Sequence, residues 1–154
     1  MYKVYTIDNV TVTDGHITNA DVSMDISQIG FRLPTEAEWE LAARGGNPNS
    51  GYWGYYYSGG NNKDNVANTS NPLLPIRRKL DNFIGLYDMS GNADEWCWDY
   101  GPDPTIFNNG RRLRGGSWEE TANYMKITDR NSYYAGGSWS GKDTYGFRIV
   151  RNIE

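Results

Sequence analysis

Cysteine and histidine are nearly absent from this chain. Cys97 stands alone, so no disulfide can close within the chain and no zinc site can rest on paired cysteines. His16 is the single histidine, which excludes a histidine-rich metal site. Long apolar runs are missing too. The opening Met1-Tyr-Lys-Val-Tyr5 has no charged stretch leading into an apolar one, which predicts neither a signal peptide nor a membrane span. A basic surplus is also lacking. The net charge of -4 argues against a nucleic-acid partner, and Arg111, Arg112 and Arg114 alternate into a predicted strand instead of forming a stripe.

What is present is rich in rings and turns. The 154 residues are 38% apolar and 14% aromatic, so a few large rings must do much of the burying. That length fits one domain, 1–154. Eighteen glycines imply many turns. Strands are predicted at 2–7 and 10–13, then at 16–23 after Asp14-Gly15, a pair that supplies a type I′ hairpin turn. His16 then reads as an exposed turn residue. One helix is predicted over 36–44. Thr35 and Glu38 have the spacing of a capping box, and Gly45-Gly46 stops the helix. Residues 47–82 carry no clean period, and so long a loop is usually functional or built around a ligand. Further strands are predicted at 84–87, around Trp96-Cys-Trp98, at 111–115 and at 145–151. One helix with many short strands and long loops gives an α+β class.

Between the strands at 111–115 and 145–151 lies a polar and aromatic stretch, 119–144. It is rich in Asn, Tyr, Ser, Gly and Asp. Such a composition suits recognition, because Tyr and Trp offer rigid contact area while Ser, Gly and Asn offer adaptable hydrogen bonds. Tyr124, Tyr133, Tyr134 and Trp139 are the candidate ligand contacts. Tyr133 and Tyr134 cannot both face inward in an extended piece, since side chains alternate. Asn123, Ser132, Ser138, Ser140 and Asp143 add polar contacts. Met125 and Ile127 alternate as core, and Trp96, Trp98 and Trp118 read as buried framework.

Four motifs, in order, carry a family resemblance. Phe31-Arg-Leu-Pro-Thr-Glu-Ala-Glu-Trp-Glu-Leu-Ala-Ala-Arg-Gly-Gly46 is similar to the helix signature of the formylglycine-generating-enzyme (sulfatase-modifying factor) domain. Gly85-Leu-Tyr-Asp-Met-Ser-Gly-Asn-Ala-Asp-Glu-Trp96, Leu113-Arg-Gly-Gly-Ser-Trp118 and Gly146-Phe-Arg-Ile-Val-Arg151 resemble its central and closing motifs. The resemblance implies a shortened C-type lectin fold. It would run as N-terminal strands over 1–30, a framework over 31–118, a variable-like surface over 119–144 and a closing strand over 145–154.

Within that family the chain most resembles the variable proteins of diversity-generating retroelements. In these, the segment between Gly-Gly-Ser-Trp and Gly-Phe-Arg is diversified by adenine-directed mutation, largely at Asn-type codons. This resemblance implies a non-enzymatic module that binds a protein or cell-surface target, on a phage virion or a bacterial surface, with no required cofactor. An alternative is a degenerate oxidase acting on protein thiols. The family's oxidases bind copper through two cysteines placed after Gly-Gly-Ser-Trp, and those places here hold Glu120 and Met125. A second alternative is a calcium-dependent sugar binder, although Glu-Pro-Asn and Gln-Pro-Asp are absent. Asp88, Gly91, Ala93 and Glu95 match a calcium site of the family's enzymes. They serve either calcium, as a hard-oxygen set, or an arginine pair at Glu95 and a turn at Asp88. The family's other calcium site needs a carboxylate that Thr69 to Leu80 lacks. Family resemblance also pairs Arg114, Arg130 and Arg148 with Glu36, Glu38 or Glu95.

Overall fold

A computed structural model of the chain describes residues 4–14, 16–69, 72–100, 111–130 and 143–153. In chain order the elements are β1 (Tyr5–Thr13), β2 (His16–Met24), β3 (Gly30–Arg32), α1 (Glu36–Ala43), α2 (Lys63–Val66), β4 (Asp94–Tyr100), β5 (Arg111–Arg114), β6 (Tyr145–Gly146) and β7 (Val150–Asn152). The class is α+β. Contacts gather into two compact units, one of residues 1–32 with 149–154 and one of residues 33–148.

In the first unit β1 and β2 form an antiparallel hairpin, and β3 pairs antiparallel with β7. The two short strands expected at 2–7 and 10–13 are one strand. Its pairing slips between Asp8 and Thr11, where Asn9 takes a φ of 49° and donates its side-chain amide to Asp21 at 2.6 Å. That slip is what interrupted the sequence pattern. His16 opens β2 opposite Thr13, beside the turn as expected.

The second unit centres on a three-stranded sheet with order β5-β4-β6. The capping box forms as expected: Thr35 accepts from the Glu38 amide, and the Glu38 carboxylate accepts the Thr35 N–H at 2.8 Å. Glu38 is therefore used at the helix start. Trp39 and Ala43 face the core, while Leu41 on the other stripe is 45% exposed. Trp39 and Ala43 pack with Met89, Cys97 and Ile127; a second cluster joins Tyr57, Val66, Ala67 and Met125.

The strand expected at 145–151 is two short strands, β6 and β7, that belong to different sheets, and two further expectations are corrected. Residues 84–87 are a turn and loop, not a strand. Buried Asn82 replaces the ladder there: its Oδ1 accepts the Ile84 and Leu86 N–H groups, each at 3.1 Å, and its Nδ2 donates to Ala42 O at 2.8 Å. Second, the tryptophans at 96, 98 and 118 are only half-buried. Alternation along β4 turns Glu95 and Cys97 inward, so Trp96 and Trp98 lie on the other face. Tyr145 covers Trp96 edge-on at 5.5 Å, and the Arg111 guanidinium lies 3.7 Å over Trp98.

A buried guanidinium ties the helix to the sheet. Arg114 on β5 has a fully buried side chain, and it donates to Glu36 at 2.8 Å, to Glu40 at 3.0 Å and to the Ile127 carbonyl. Its charge also sits 5.0 Å from the Trp39 ring centre. Burial opposes ionisation of Glu40, but Arg114 and Arg44 outweigh it and hold the carboxyl below its usual range. Arg148 grips Glu95 in the same manner, with one contact at 2.6 Å, and the Trp39 indole N–H donates to that carboxylate at 2.7 Å. Arg130, the third arginine expected to pair, reaches Glu36 only at 3.8 Å and is exposed. Removing the Arg114 charge leaves Glu36 with guanidiniums no nearer than 3.8 Å and Glu40 with Arg44 as its one close cation among the described residues. Arg114→Met should lower unfolding free energy by about 3–5 kcal/mol. The triple variant with Glu36→Gln and Glu40→Gln should recover a large part of that loss in urea titrations.

Candidate functional site

The stretch that sequence points to begins and ends on the same strand. β5 flanks β4 on one edge, antiparallel, with Glu95 opposite Arg114. β6 flanks it on the other edge, parallel, with Asp94 opposite Tyr145. Residues 115–144 therefore leave from one side of β4 and return on the other. The returning end is fixed further by the Asp94 N–H, which donates to the Thr144 carbonyl at 2.9 Å.

Close backbone contacts pin the outgoing end. Gly116 has a φ of 69°, and a Cβ there would stand 2.8 Å from the Tyr124 carbonyl. Only glycine fits that approach without strain. Ser117 donates its N–H to Glu120 at 3.0 Å, and the Glu120 N–H returns to the Ser117 carbonyl at 3.1 Å. Glu120 is thus an anchor. The Ser-x-x-Glu spacing of a capping box was present in the sequence to show it. From there the chain turns repeatedly, and Met125 and Ile127 enter the core at 0% and 1% exposure, as their alternation implied. Asn123 and Asp143 are exposed, and Tyr124 is 46% exposed. Ser132, Tyr133, Tyr134, Ser138, Trp139 and Ser140 lie outside the described residues.

Cofactor chemistry meets filled or unsuitable side chains. Copper(I) favours soft thiolates. Glu120 is a hard anion already bound to the Ser117 amide, and Met125 is enclosed with Tyr57, Val66 and Ala67. Cys97, fully buried, has its thiol pushed up to about 12, by burial first and then by Glu95, Asp99 and Glu36 against the opposing Arg114. These residues do not fit a copper thiolate pair. Calcium wants six to eight oxygens. Glu95 gives its carboxylate to Arg148 and Trp39, and Asp88 accepts the Arg77 N–H at 2.8 Å. Gly91 keeps its φ of 74° because a Cβ would stand 2.3 Å from the Asn68 carbonyl. Ala93 follows with its N–H on the Gly91 carbonyl. No group of three or more His, Cys, Asp or Glu able to hold a metal occurs among the described residues. The ion pair and the turn are the roles that Glu95 and Asp88 hold, and as they stand they do not fit calcium.

Asp94 is the strongly perturbed acid beneath the segment. It is 2% exposed, and its Oδ1 has no hydrogen-bond partner among the described residues. Burial, then the charges of Glu120, Asp129 and Glu95, push its carboxyl up to about 7, while the Gly116 N–H opposes them. Burial also raises Asp129. The folded state therefore holds a proton at Asp94 between its ordinary 3.8 and about 7 that the unfolded chain releases. Stability from this group is complete below the lower value and is lost as pH rises through the upper one. Asp94→Asn should flatten that decline and raise stability at pH 8 by on the order of 2–4 kcal/mol; unfolding titrations across pH check it. Cys97, for its part, should resist a thiol reagent in the folded protein and react once denaturant is added.

Comparison with known proteins agrees with this geometry. The sulfatase-modifying factor enzyme 1-like domain matches residues 5–153. Chaperone protein LppX of Paenibacillus barcinonensis is 34% identical, over 96% of this chain and 60% of its own length. The formylglycine-generating enzyme of Streptomyces coelicolor is 33% identical, over 90% of this chain and 52% of its own. Among solved structures, Treponema denticola variable protein 1 superposes with a TM-score of 0.70 at 35% identity, covering 83% of this chain and 50% of that one. The chain spans little more than half the length of these curated relatives. With motifs, fold and family model in agreement, the chain belongs to the sulfatase-modifying factor enzyme 1-like domain family and carries its C-type lectin type of fold.

Proposed function

We propose that this domain is a non-enzymatic binding module whose 119–144 segment is the recognition surface. The observation that carries the reading is the anchoring on β4. Both ends of the segment are tied to one strand, Met125 and Ile127 are sunk in the core, and Asn123, Tyr124 and Asp143 are left outside. A surface held this way loses little ordering entropy on binding, and its outward side chains can change without moving the backbone. Similarity to a variable protein at 35% identity supports the same reading. The target would be a protein or cell-surface molecule, met from a phage particle or a bacterial surface. Among the described residues no helix is long and apolar enough to cross a membrane.

Non-enzymatic action is favoured by side-chain chemistry. The two places that hold thiolates in the family's oxidases carry a bound carboxylate and a buried thioether. Relatives that are enzymes supply the competing reading, a degenerate oxidase acting on protein thiols. Copper titration with an oxygen-consumption assay separates the two, and the proposal expects no copper-dependent uptake with a thiol peptide.

The direct test is genetic. The flanking DNA should carry a reverse-transcriptase gene and an adenine-rich, near-identical copy of the 3′ end. Population sequencing should find changes at exposed positions such as Asn123, Tyr124 and Asp143, and none at Gly116, Met125, Ile127 or Thr144. Invariance across 119–144, or variation spread evenly over the chain, would contradict it.

A further inference from the structure

A concave site is formed by residues from 76–77, 85–95 and 146–148. It is a cleft of about 390 Å³, within the range of small-ligand pockets, and none of the described residues of 119–144 lines it. Its walls are apolar at Ile76, Leu86, Tyr87 and Phe147, cationic at Arg77 and Arg148, and acidic at Asp88 and Glu95, of which Glu95 is engaged by Arg148 and Asp88 by the Arg77 N–H. Ile76 is 76% exposed and Phe147 69% exposed, so two large apolar side chains stand in water at its rim.

The two guanidiniums differ. Arg148 is committed to Glu95. Arg77 makes no ion pair with any described residue, and its guanidinium lies over the Tyr87 ring at 5.3 Å. Its backbone N–H, by contrast, is firmly held by Asp88. Three lining residues, Arg77, Asp88 and Asn92, have φ values of 65°, 57° and 71°, a left-handed conformation that non-glycine residues adopt rarely. The Asn92 side chain accepts the Leu74 N–H at 2.9 Å and donates to the Leu74 carbonyl at 3.2 Å, which fixes the loop that leads to Arg77. Strained backbone held by dedicated hydrogen bonds is typical of ligand clamps.

From these features we infer that the cleft binds a carboxylate attached close to an aromatic or branched apolar group. Arg77 would receive the carboxylate through its planar fork, and Phe147, Ile76 and Tyr87 would cover the apolar part. Two sources share this chemistry: a small free acid, and the last residue of a peptide chain. Neither depends on the reading given to the 119–144 segment.

The test is a titration of the ¹⁵N-labelled protein followed by two-dimensional NMR. The probes are N-acetyl-phenylalanine, its carboxamide, the pentapeptide Gly-Ser-Gly-Ser-Phe and that peptide's carboxamide. Both acids should shift the amides of Arg77, Tyr87, Asp88 and Phe147. Each carboxamide should bind about tenfold more weakly, because the charge-assisted hydrogen bonds are gone. Arg77→Gln should erase the preference for acid over amide, Arg77→Lys should keep part of it, and Arg78→Gln should leave it intact. Tighter binding of the peptide assigns the site to chain ends; tighter binding of the free acid assigns it to small acids. Equal binding of acid and amide by the unaltered protein overturns the inference. So do shifts centred elsewhere, an unchanged preference in Arg77→Gln, or no shift with any probe. Arg77 is exposed, so the variants should melt as the parent does, and circular dichroism confirms that each is folded.

Discussion

Arg114 holds together the parts that everything else leans on. Its buried charge meets Glu36 and Glu40 on α1, the Trp39 ring beside them, and the Ile127 carbonyl in the 119–144 segment. Burying a guanidinium and two carboxylates is expensive, and an apolar replacement of all three could match it in stability. The pairing contributes geometry instead. A planar fork with fixed acceptors permits one placement of α1 against β5 and one height for the turn that carries Ile127. Glu95, gripped by Arg148 and by the Trp39 indole, does the same on the neighbouring strand.

On that frame β4 works as a double clamp. Its two edges receive the strand entering the polar segment and the strand leaving it. Position in the fold then sorts the segment's residues by physics. Gly116 is required by a carbonyl that leaves no room for a Cβ, Met125 and Ile127 by the core, and Glu120 by the Ser117 amide. Asn123, Tyr124 and Asp143 answer to no such demand. A carboxyl near neutrality, Asp94, sits beneath this arrangement and gives it a pH dependence.

How much of this was readable in the sequence depended on the range of the interaction. Local signals held: Thr35 with Glu38 marked the start of α1, Met125 and Ile127 alternated into the core, and Asp14-Gly15 marked the hairpin. Family motifs supplied the arginine pairs, but not which glutamate each would meet. Arg114 meets Glu36 and Glu40, because a helical period of 3.6 residues sets those two on one face. The half-burial of Trp96 and Trp98 was hidden, since which face of β4 turns inward is set by partners far along the chain. Residues 84–87 look like a strand in composition; the nearby Asn82 side chain turns them instead, and it is held in place by the Ala42 carbonyl, forty residues away. The Arg77 cleft left no mark in the sequence, because it is assembled from separate stretches at 76–77, 85–95 and 146–148.

Framework contacts fix the backbone of residues 115–130 and 143–146 and leave the outward side chains at 123, 124 and 143 unconstrained. A codon-by-codon substitution scan of residues 115–130 and 143–146, scored by protease resistance of the displayed protein, measures this directly. The account predicts that nearly every substitution at 123, 124 and 143 is tolerated. It also predicts that most at Gly116, Met125, Ile127 and Thr144 unfold the domain. Equal sensitivity in the two groups would contradict it.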